Sequence, residues 1–252
     1  MTIEARIKNY WNQRADDYSQ HIQKELDLFK KEAWQQLIKE YAPKGEKLAV
    51  LDVGTGPGFL SIILSEMGNE VTAVDSSENM LEEAKKNISQ AGFAVRFQQA
   101  DAQKLPFPEA TFDLIICRNL VWTLPDPLAA YQDWYRVLKP GGRVLVFDAN
   151  WGLRFNDPVL QRQHDDDQSR AKELGYENPH DRANLQENEN ISKNLFLSSR
   201  HRPSWDLEAF MQSQYKKVFL DRDVTKLLWN EQQKVLYRST PMFIVGAEKE
   251  SD

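Results

Sequence analysis

The sequence predicts an α/β fold: a mostly parallel sheet with helices on both faces. Three observations carry this. Short apolar stretches alternate with helix-length amphipathic ones from Lys47 onward, the rhythm of βαβ units. A glycine-rich turn, VLDVGTGPGF from Val50 to Phe59, closes the first apolar stretch. Acidic residues then recur where later apolar stretches end, as in EVTAVD and RVLVFD.

Ahead of the sheet, residues 2 to 42 contain two helical stretches, around IKNYWNQRADDY and LDLFKKEAWQQLIKEY, whose apolar residues recur at helical spacing. KLAVLDV, EVTAVD, AVRFQQAD, FDLIICR and RVLVFDAN read as strands of the length of buried ones. The helix FLSIILSEM is closed by Gly68 and SENMLEEAKKNISQA by Gly92, since glycine just past a periodic run stops a helix. PDPLAAYQDWYRVL, with proline in its first turn, precedes the fifth strand. From Trp151 to Pro203 the rhythm stops in a polar stretch rich in Asn, Asp and Gln, expected to be a partly helical insertion after the fifth strand. It resumes with SWDLEAFMQSQY, KKVFLDRDV and TPMFIVGAEK. The expected organisation is one domain over 1–252: an N-terminal helical part at 1–42, a core at 43–150, the insertion at 151–203, and the end of the sheet at 204–252.

Composition bounds the function. With 252 residues, 41% hydrophobic and 28% charged, the chain can bury a sizeable core. No apolar run suits membrane insertion, and MTIEARIKNYWNQR has no apolar signal core, so the expected location is cytoplasmic. The single cysteine, Cys117, lies in the apolar run DLIIC and reads as a packed core thiol. Net charge is −6, with no basic stripe to follow a phosphate backbone, which argues against nucleic acid as a partner.

The glycine loop poses a choice between cofactors. Glycines let a backbone turn sharply and approach a ligand beside a helix N-terminus. A dinucleotide fingerprint is G-x-G-x-x-G or G-x-G-x-x-A, whereas Gly54, Gly56 and Gly58 give G-x-G-x-G, followed by Phe59. That spacing disfavours a pyrophosphate cofactor. Asp75, at the end of the second strand, can accept the ribose hydroxyls of any adenosine. Asp101 ends the third strand. Ligands of open α/β sheets bind at the carboxyl ends of strands, so Asp52, Asp75, Asp101, Arg118 and Asp148 are expected to face one crevice.

VLDVGTGPG, the acid of AVDSS, the block ADAQKLPFPEATFDLIICRN and the block RVLKPGGRVLVFD, in this order between residues 47 and 150, resemble class I S-adenosylmethionine-dependent methyltransferases, in the small-molecule group related to the quinone-biosynthesis enzymes. The resemblance implies a Rossmann-like seven-stranded sheet with an antiparallel last strand, S-adenosylmethionine as cofactor with S-adenosylhomocysteine as product, and methyl transfer to a small-molecule acceptor. A homodimer is compatible with it. It also implies roles. Gly54, Thr55 and Gly56 would bracket the methionine part and Asp52 its ammonium. Asp75 would take the ribose hydroxyls, with Ser76 and Met80 near the adenine, and Asp101 and Ala102 would meet the adenine amino edge. Arg118 or Asn119 would lie beside the sulfonium. Tyr10, Trp11, Arg14 and Tyr18 would form a lid, or else pack on the core.

The acceptor side is less defined. Asp148, Tyr18 and His164 are the candidate general bases, Asp148 doubling as a strand-end residue bonded to nearby backbone. His164, beside Asp165, Asp166 and Asp167, reads as a solvated helix start, because no second histidine stands at ligand spacing; no metal is expected. Trp122, Asn150 and Trp151, with Phe155 and Trp205, are the expected pocket, the tryptophans alternatively anchoring the insertion. SSRHRPSW, with Arg200, His201 and Arg202, reads either as an anion-attracting stretch or as an exposed connector. Two other functions are weighed: a donor-binding sensor or accessory protein without turnover, and a nucleotide-dependent oxidoreductase, which Phe59 and the loop spacing disfavour.

Overall fold

A computed structural model describes residues 1–27, 31–176 and 185–251. Its core is a seven-stranded sheet in the order β3-β2-β1-β4-β5-β7-β6. The strands are β1 (Ala49–Val53), β2 (Glu70–Asp75), β3 (Arg96–Gln99), β4 (Phe112–Arg118), β5 (Leu138–Asp148), β6 (Lys217–Asp221) and β7 (Phe243–Glu248). Strands β1 to β5 pair in parallel, whereas β7 runs antiparallel between β5 and β6. The strand order reverses at β1 and β4, so a crevice opens between their carboxyl ends.

Alternation along the central strands builds two apolar layers. Val50, Leu114, Ile116, Leu145 and Phe147 face one side, where α2 (Lys31–Tyr41) and α3 (Phe59–Glu66) supply Trp34, Ile38 and Ile63. Leu51, Val53, Ile115, Cys117, Val144 and Val146 face the other, covered by Tyr131 and Trp134 of α5 (Pro127–Val137) and Phe210 of α8 (Ser204–Gln212). Cys117 is fully buried there. Strands with both faces apolar read as continuous hydrophobic runs, which is why β1, β4 and β5 stand out in the sequence.

Helix α4 (Glu78–Gln90) starts at Ser77, whose Oγ accepts from the Met80 N–H, the N-cap bond that satisfies one unpaired helix donor. The same hydroxyl donates to Asn12 Oδ1 at 2.6 Å, which ties α4 to α1 (Ile3–Asp27). Helix α1 is one uninterrupted element, longer than the expected stretch around residues 7–18. The start of the second stretch, at residues 28–30, lies outside the described residues.

After β5 the chain forms a 3₁₀ turn (Leu153–Phe155), α6 (Pro158–Glu173), α7 (Leu185–Ser192) and a second 3₁₀ turn (Phe196–Ser199); residues 177–184 of this expected insertion lie outside the described residues. Two short helices, α9 (Thr225–Leu228) and α10 (Glu231–Leu236), join β6 to β7. Among the described residues no helix is long and apolar enough to cross a membrane.

Candidate functional site

At the carboxyl ends of β1, β2 and β4 lies a cavity of about 630 Å³. The turn after β1 makes it possible. Gly54 and Gly56 adopt φ of 66° and 53°, a left-handed conformation that costs other residues about 1–2 kcal/mol. A Cβ on Gly54 would come within 2.6 Å of Leu120, while one on Gly56 would meet nothing nearer than the Tyr18 ring at 3.8 Å. The loop therefore lies close to Leu120, just after β4, on one side and opens to the cavity on the other.

Two acids face this space, Asp52 buried and Asp75 half-buried. Asp75 accepts the Gly56 N–H at 3.0 Å and the Ser77 N–H at 2.9 Å, so its carboxylate is fixed by the turn on one side and the helix start on the other. Burial raises its pKa above the usual value against those backbone bonds. Asp52 receives the hydroxyls of Thr55 at 2.7 Å and Ser61 at 2.6 Å, both on Oδ2. Burial pushes its carboxyl up to about 6. A buried carboxylate without a cation is costly, so both are prepared for polar partners from the cavity. Asp101 stands exposed on the rim, where its Oδ1 accepts the Gln103 N–H at 2.9 Å.

A second cavity, about 880 Å³, adjoins the first. Trp11, Tyr18, Arg118 and Asn119 line both, so these four side chains form the shared wall. Asn119 is a non-glycine residue at φ 55°. Its backbone N–H bonds to Phe147 O at 2.9 Å, its carbonyl takes Trp122 Nε1 at 3.0 Å, and its Oδ1 takes Trp151 Nε1 at 3.1 Å. These bonds over-determine a conformation that would otherwise be strained, and they orient both indoles. Arg118 extends from the end of β4 over the Phe59 ring, 3.7 Å from its centre, and pairs with Glu25.

The expected residues fall in distinct places. Asp52, Gly54, Thr55, Gly56, Asp75, Ser76, Met80, Asp101, Ala102, Arg118 and Asn119 all line the first cavity. Trp122, Trp151, Phe155 and His164 line the second, as do Tyr10 and Arg14. Burial lifts the Tyr18 phenol pKa above its usual value, so Tyr18 is a proton donor at neutral pH rather than a resting base. His164 lies inside α6 and not at a solvated helix start; burial, with Arg154 nearby, lowers its pKa and keeps the imidazole neutral. Of its three neighbours, Asp167 is buried, pairing with Arg238 at 2.7 Å and accepting the Ser239 N–H.

Several expectations fail for one reason. Asp148 does not reach either cavity. It is fully buried, paired with Arg202 at 2.5 Å, and accepts the N–H groups of Ala149 and Trp122. Arg202 also grips Asp206, which accepts the Tyr131 hydroxyl. SSRHRPSW is therefore not an exposed connector throughout, and its Arg202, saturated inside the protein, is not available to an anion, whereas His201 stays exposed. Asn150 exchanges two hydrogen bonds with the Arg202 backbone and lines neither of these two cavities. Trp205 packs on the core beside Tyr131. The insertion is thus anchored where a pocket was expected.

Glu25, His21, Arg154, Trp229, Gln233 and Tyr237 line the second cavity without having been read from the sequence. Glu25 stands seven residues after Tyr18, two turns along the same face of α1. An acid on an apolar stripe ordinarily marks the solvent boundary, which hides it. Trp229 and Tyr237 flank α10, whose capping box of Asn230 and Gln233 was a readable helix start.

Known proteins share this architecture. Residues 51–146 match the methyltransferase domain family. A ubiquinone/menaquinone biosynthesis C-methyltransferase of Desulfotalea psychrophila is 35% identical over 129 residues, 50% of this chain and 52% of the relative. A demethylmenaquinone methyltransferase of Thermus thermophilus is 39% identical over 114 residues, covering 44% and 50%. The chain spans about half the length of the curated relatives it matches. A crystal structure of an S-adenosylmethionine-dependent methyltransferase from Aquifex aeolicus covers 91% of this chain and 97% of its own, with a TM-score of 0.54 at 21% identity, and so shares the fold. Residues 51–146 thus carry a methyltransferase domain, similar over that stretch to methyltransferases of quinone biosynthesis.

Proposed function

We propose that the protein transfers a methyl group from S-adenosylmethionine in the first cavity to a small-molecule acceptor in the second. The observation that carries this reading is the wall that the two cavities share, formed by Trp11, Tyr18, Arg118 and Asn119. A donor and an acceptor lying on opposite sides of it meet where those side chains meet.

The residues present suit the donor. Asp75, fixed by two backbone N–H groups, has lone pairs left for ribose hydroxyls. Asp52, with both hydroxyls on one oxygen, can pair an ammonium on the other. Ser76, Met80, Asp101 and Ala102 line the part of the cavity that would take the adenine. Gly54, Thr55 and Gly56 bring backbone close to the methionine part. When bound, S-adenosylmethionine supplies a methyl group made electrophilic by its sulfonium. The protein's work is then to align the acceptor and exclude water. Arg118 is neutralised by Glu25, so the wall does not repel a cation. His21 and His164, both held neutral by burial, are groups in the second cavity able to accept a proton from the acceptor.

Helix α1 acts as the lid in this reading. Tyr10, Trp11, Arg14 and Tyr18 cover the second cavity, with Trp11 and Tyr18 reaching the first. The chain works as one domain, its parts at 1–42 and 151–203 closing over the core, and in the cytoplasm, where Cys117 stays reduced.

Titration calorimetry with S-adenosylmethionine, S-adenosylhomocysteine and NAD tests the donor. Micromolar binding of the two sulfur nucleosides, with none for NAD, is expected. Binding of NAD alone, or of none of the three, overturns the proposal.

A further inference from the structure

The second cavity contains a cation that has no ion-pair partner among the described residues. Apart from Asp165, its other charged groups pair off: Arg118 with Glu25, Lys193 with Glu189, and Arg14 with Asp17. Arg154 does not. Its Nη1 donates to Gln161 Oε1 at 3.0 Å and its guanidinium stacks 4.1 Å from the centre of the Phe155 ring. Among the described residues no carboxylate pairs with it. Asp157, the nearest acid in sequence, caps α6 through the Val159 and Leu160 N–H groups, and Asp165, which lines the same cavity, is exposed and accepts from Gln161 Nε2 at 2.8 Å. Burial lowers the Arg154 pKa, with Asp165 and Glu189 opposing from farther away. A half-buried guanidinium with free N–H groups facing a cavity suits an oxyanion, which it can bind through two parallel hydrogen bonds. His164, one turn beyond Gln161 on α6, lines the same space.

Another part of the wall is made of rings. Trp122 and Trp151 are held by Asn119, Phe155 lies under Arg154, and Tyr237 packs edge-on against Trp151 at 5.4 Å and Trp229 at 5.6 Å. Ring edges and faces favour a planar apolar partner by about 0.5–1.5 kcal/mol beyond area burial. The volume is within the range of small-molecule sites.

We propose that the second cavity takes an aromatic carboxylate, its carboxylate on the Arg154 guanidinium and its ring among Trp122, Trp151 and Phe155. This rests on the reading of the first cavity as the donor site, which orients the acceptor toward Tyr18 and Asn119. Arg154 is then a specificity residue: it selects charged over neutral acceptors.

The test uses the full chain with S-adenosylhomocysteine bound, titrated with 2-naphthoate and indole-3-acetate, their neutral amides, and cyclohexanecarboxylate, and followed by tryptophan fluorescence and calorimetry. The aromatic acids are expected to bind at least about tenfold more tightly than their amides and than cyclohexanecarboxylate. Arg154→Gln should abolish the gap between acid and amide while leaving S-adenosylhomocysteine affinity unchanged, and Arg154→Lys should restore part of it. Equal affinity of acid and amide in the wild type, no binding of either acid, or a gap that survives in Arg154→Gln overturns the inference. Cyclohexanecarboxylate binding as tightly as the aromatic acids overturns its aromatic part. The wild-type comparisons stand even if a variant fails to fold. Failure of S-adenosylhomocysteine to bind at all strikes the donor reading instead.

Discussion

Arg118 and Glu25 meet through two parallel hydrogen bonds, Nη1 to Oε1 at 2.9 Å and Nη2 to Oε2 at 3.0 Å, joining the end of β4 to α1 on the wall between the cavities. Gln233 Nε2 adds a third bond to Glu25 at 3.2 Å, so α10 is held to the same pair. Both side chains are largely buried. Removing the acid's charge would leave a cation beside the place proposed for the sulfonium, a repulsion of roughly 1–2 kcal/mol at an effective dielectric of about 20. Glu25→Gln is therefore expected to weaken S-adenosylmethionine, a cation at sulfur, about tenfold more than the neutral thioether S-adenosylhomocysteine. Calorimetry with both ligands checks this, and equal losses would mean that the pair only braces α1.

Asp75 concentrates the donor reading in one side chain. Asp75→Ala removes the acceptor of the Gly56 and Ser77 N–H groups and the proposed partner of the ribose. Affinity for S-adenosylhomocysteine is predicted to fall by about 1–3 kcal/mol, the scale for hydrogen bonds to a charged group. Wild-type affinity in this variant would remove the ribose from the end of β2.

Asp52 gives a pH dependence with a definite sign. Its folded carboxyl titrates at about 6, raised from 3.8 chiefly by burial, so between those values the folded protein holds a proton that the unfolded chain has released. Stability from this group is thus lost as pH rises through that window, by about 3 kcal/mol in all. Donor affinity runs the other way, because the ammonium proposed to lie there pairs with the ionised acid. Binding of S-adenosylhomocysteine should strengthen as pH rises from about 5 to about 7, and Asp52→Asn should flatten that profile. A profile that stays steep in the variant would assign the titration to another group.

Those three positions also show how far the sequence can be read. Asp52, Asp75 and Arg118 end short apolar strands, and a strand's carboxyl end in an open α/β sheet has one destination, so their convergence on the first cavity follows from local pattern. Asp148 obeys the same pattern and goes elsewhere, since Arg202, 54 residues later, reaches it inside the core. Nothing local announces that pairing: a guanidinium in a polar stretch reads as solvated. The second cavity is illegible for the same reason, because α1, the segment after β5 and α10 each supply part of its wall, and only tertiary packing brings them together.

The Asp148–Arg202–Asp206 cluster carries a prediction that separates structure from chemistry. Arg202 is enclosed between two carboxylates, and all three side chains are almost completely buried. Truncating the cation would leave two buried acids facing each other, a loss of about 3–5 kcal/mol for a broken buried pair, or on the order of 10 °C in Tm for a domain of this size. Arg202→Ala is expected to show that loss by calorimetric melting. Asp148→Asn keeps the shape and an acceptor for Arg202, so it should cost less stability and leave S-adenosylhomocysteine affinity within about twofold of wild type, as Asp148 lines neither cavity. If Asp148→Asn melted like the wild type yet lost methyl transfer, Asp148 would return as a base, reached by a path that opens when α1 or the insertion moves.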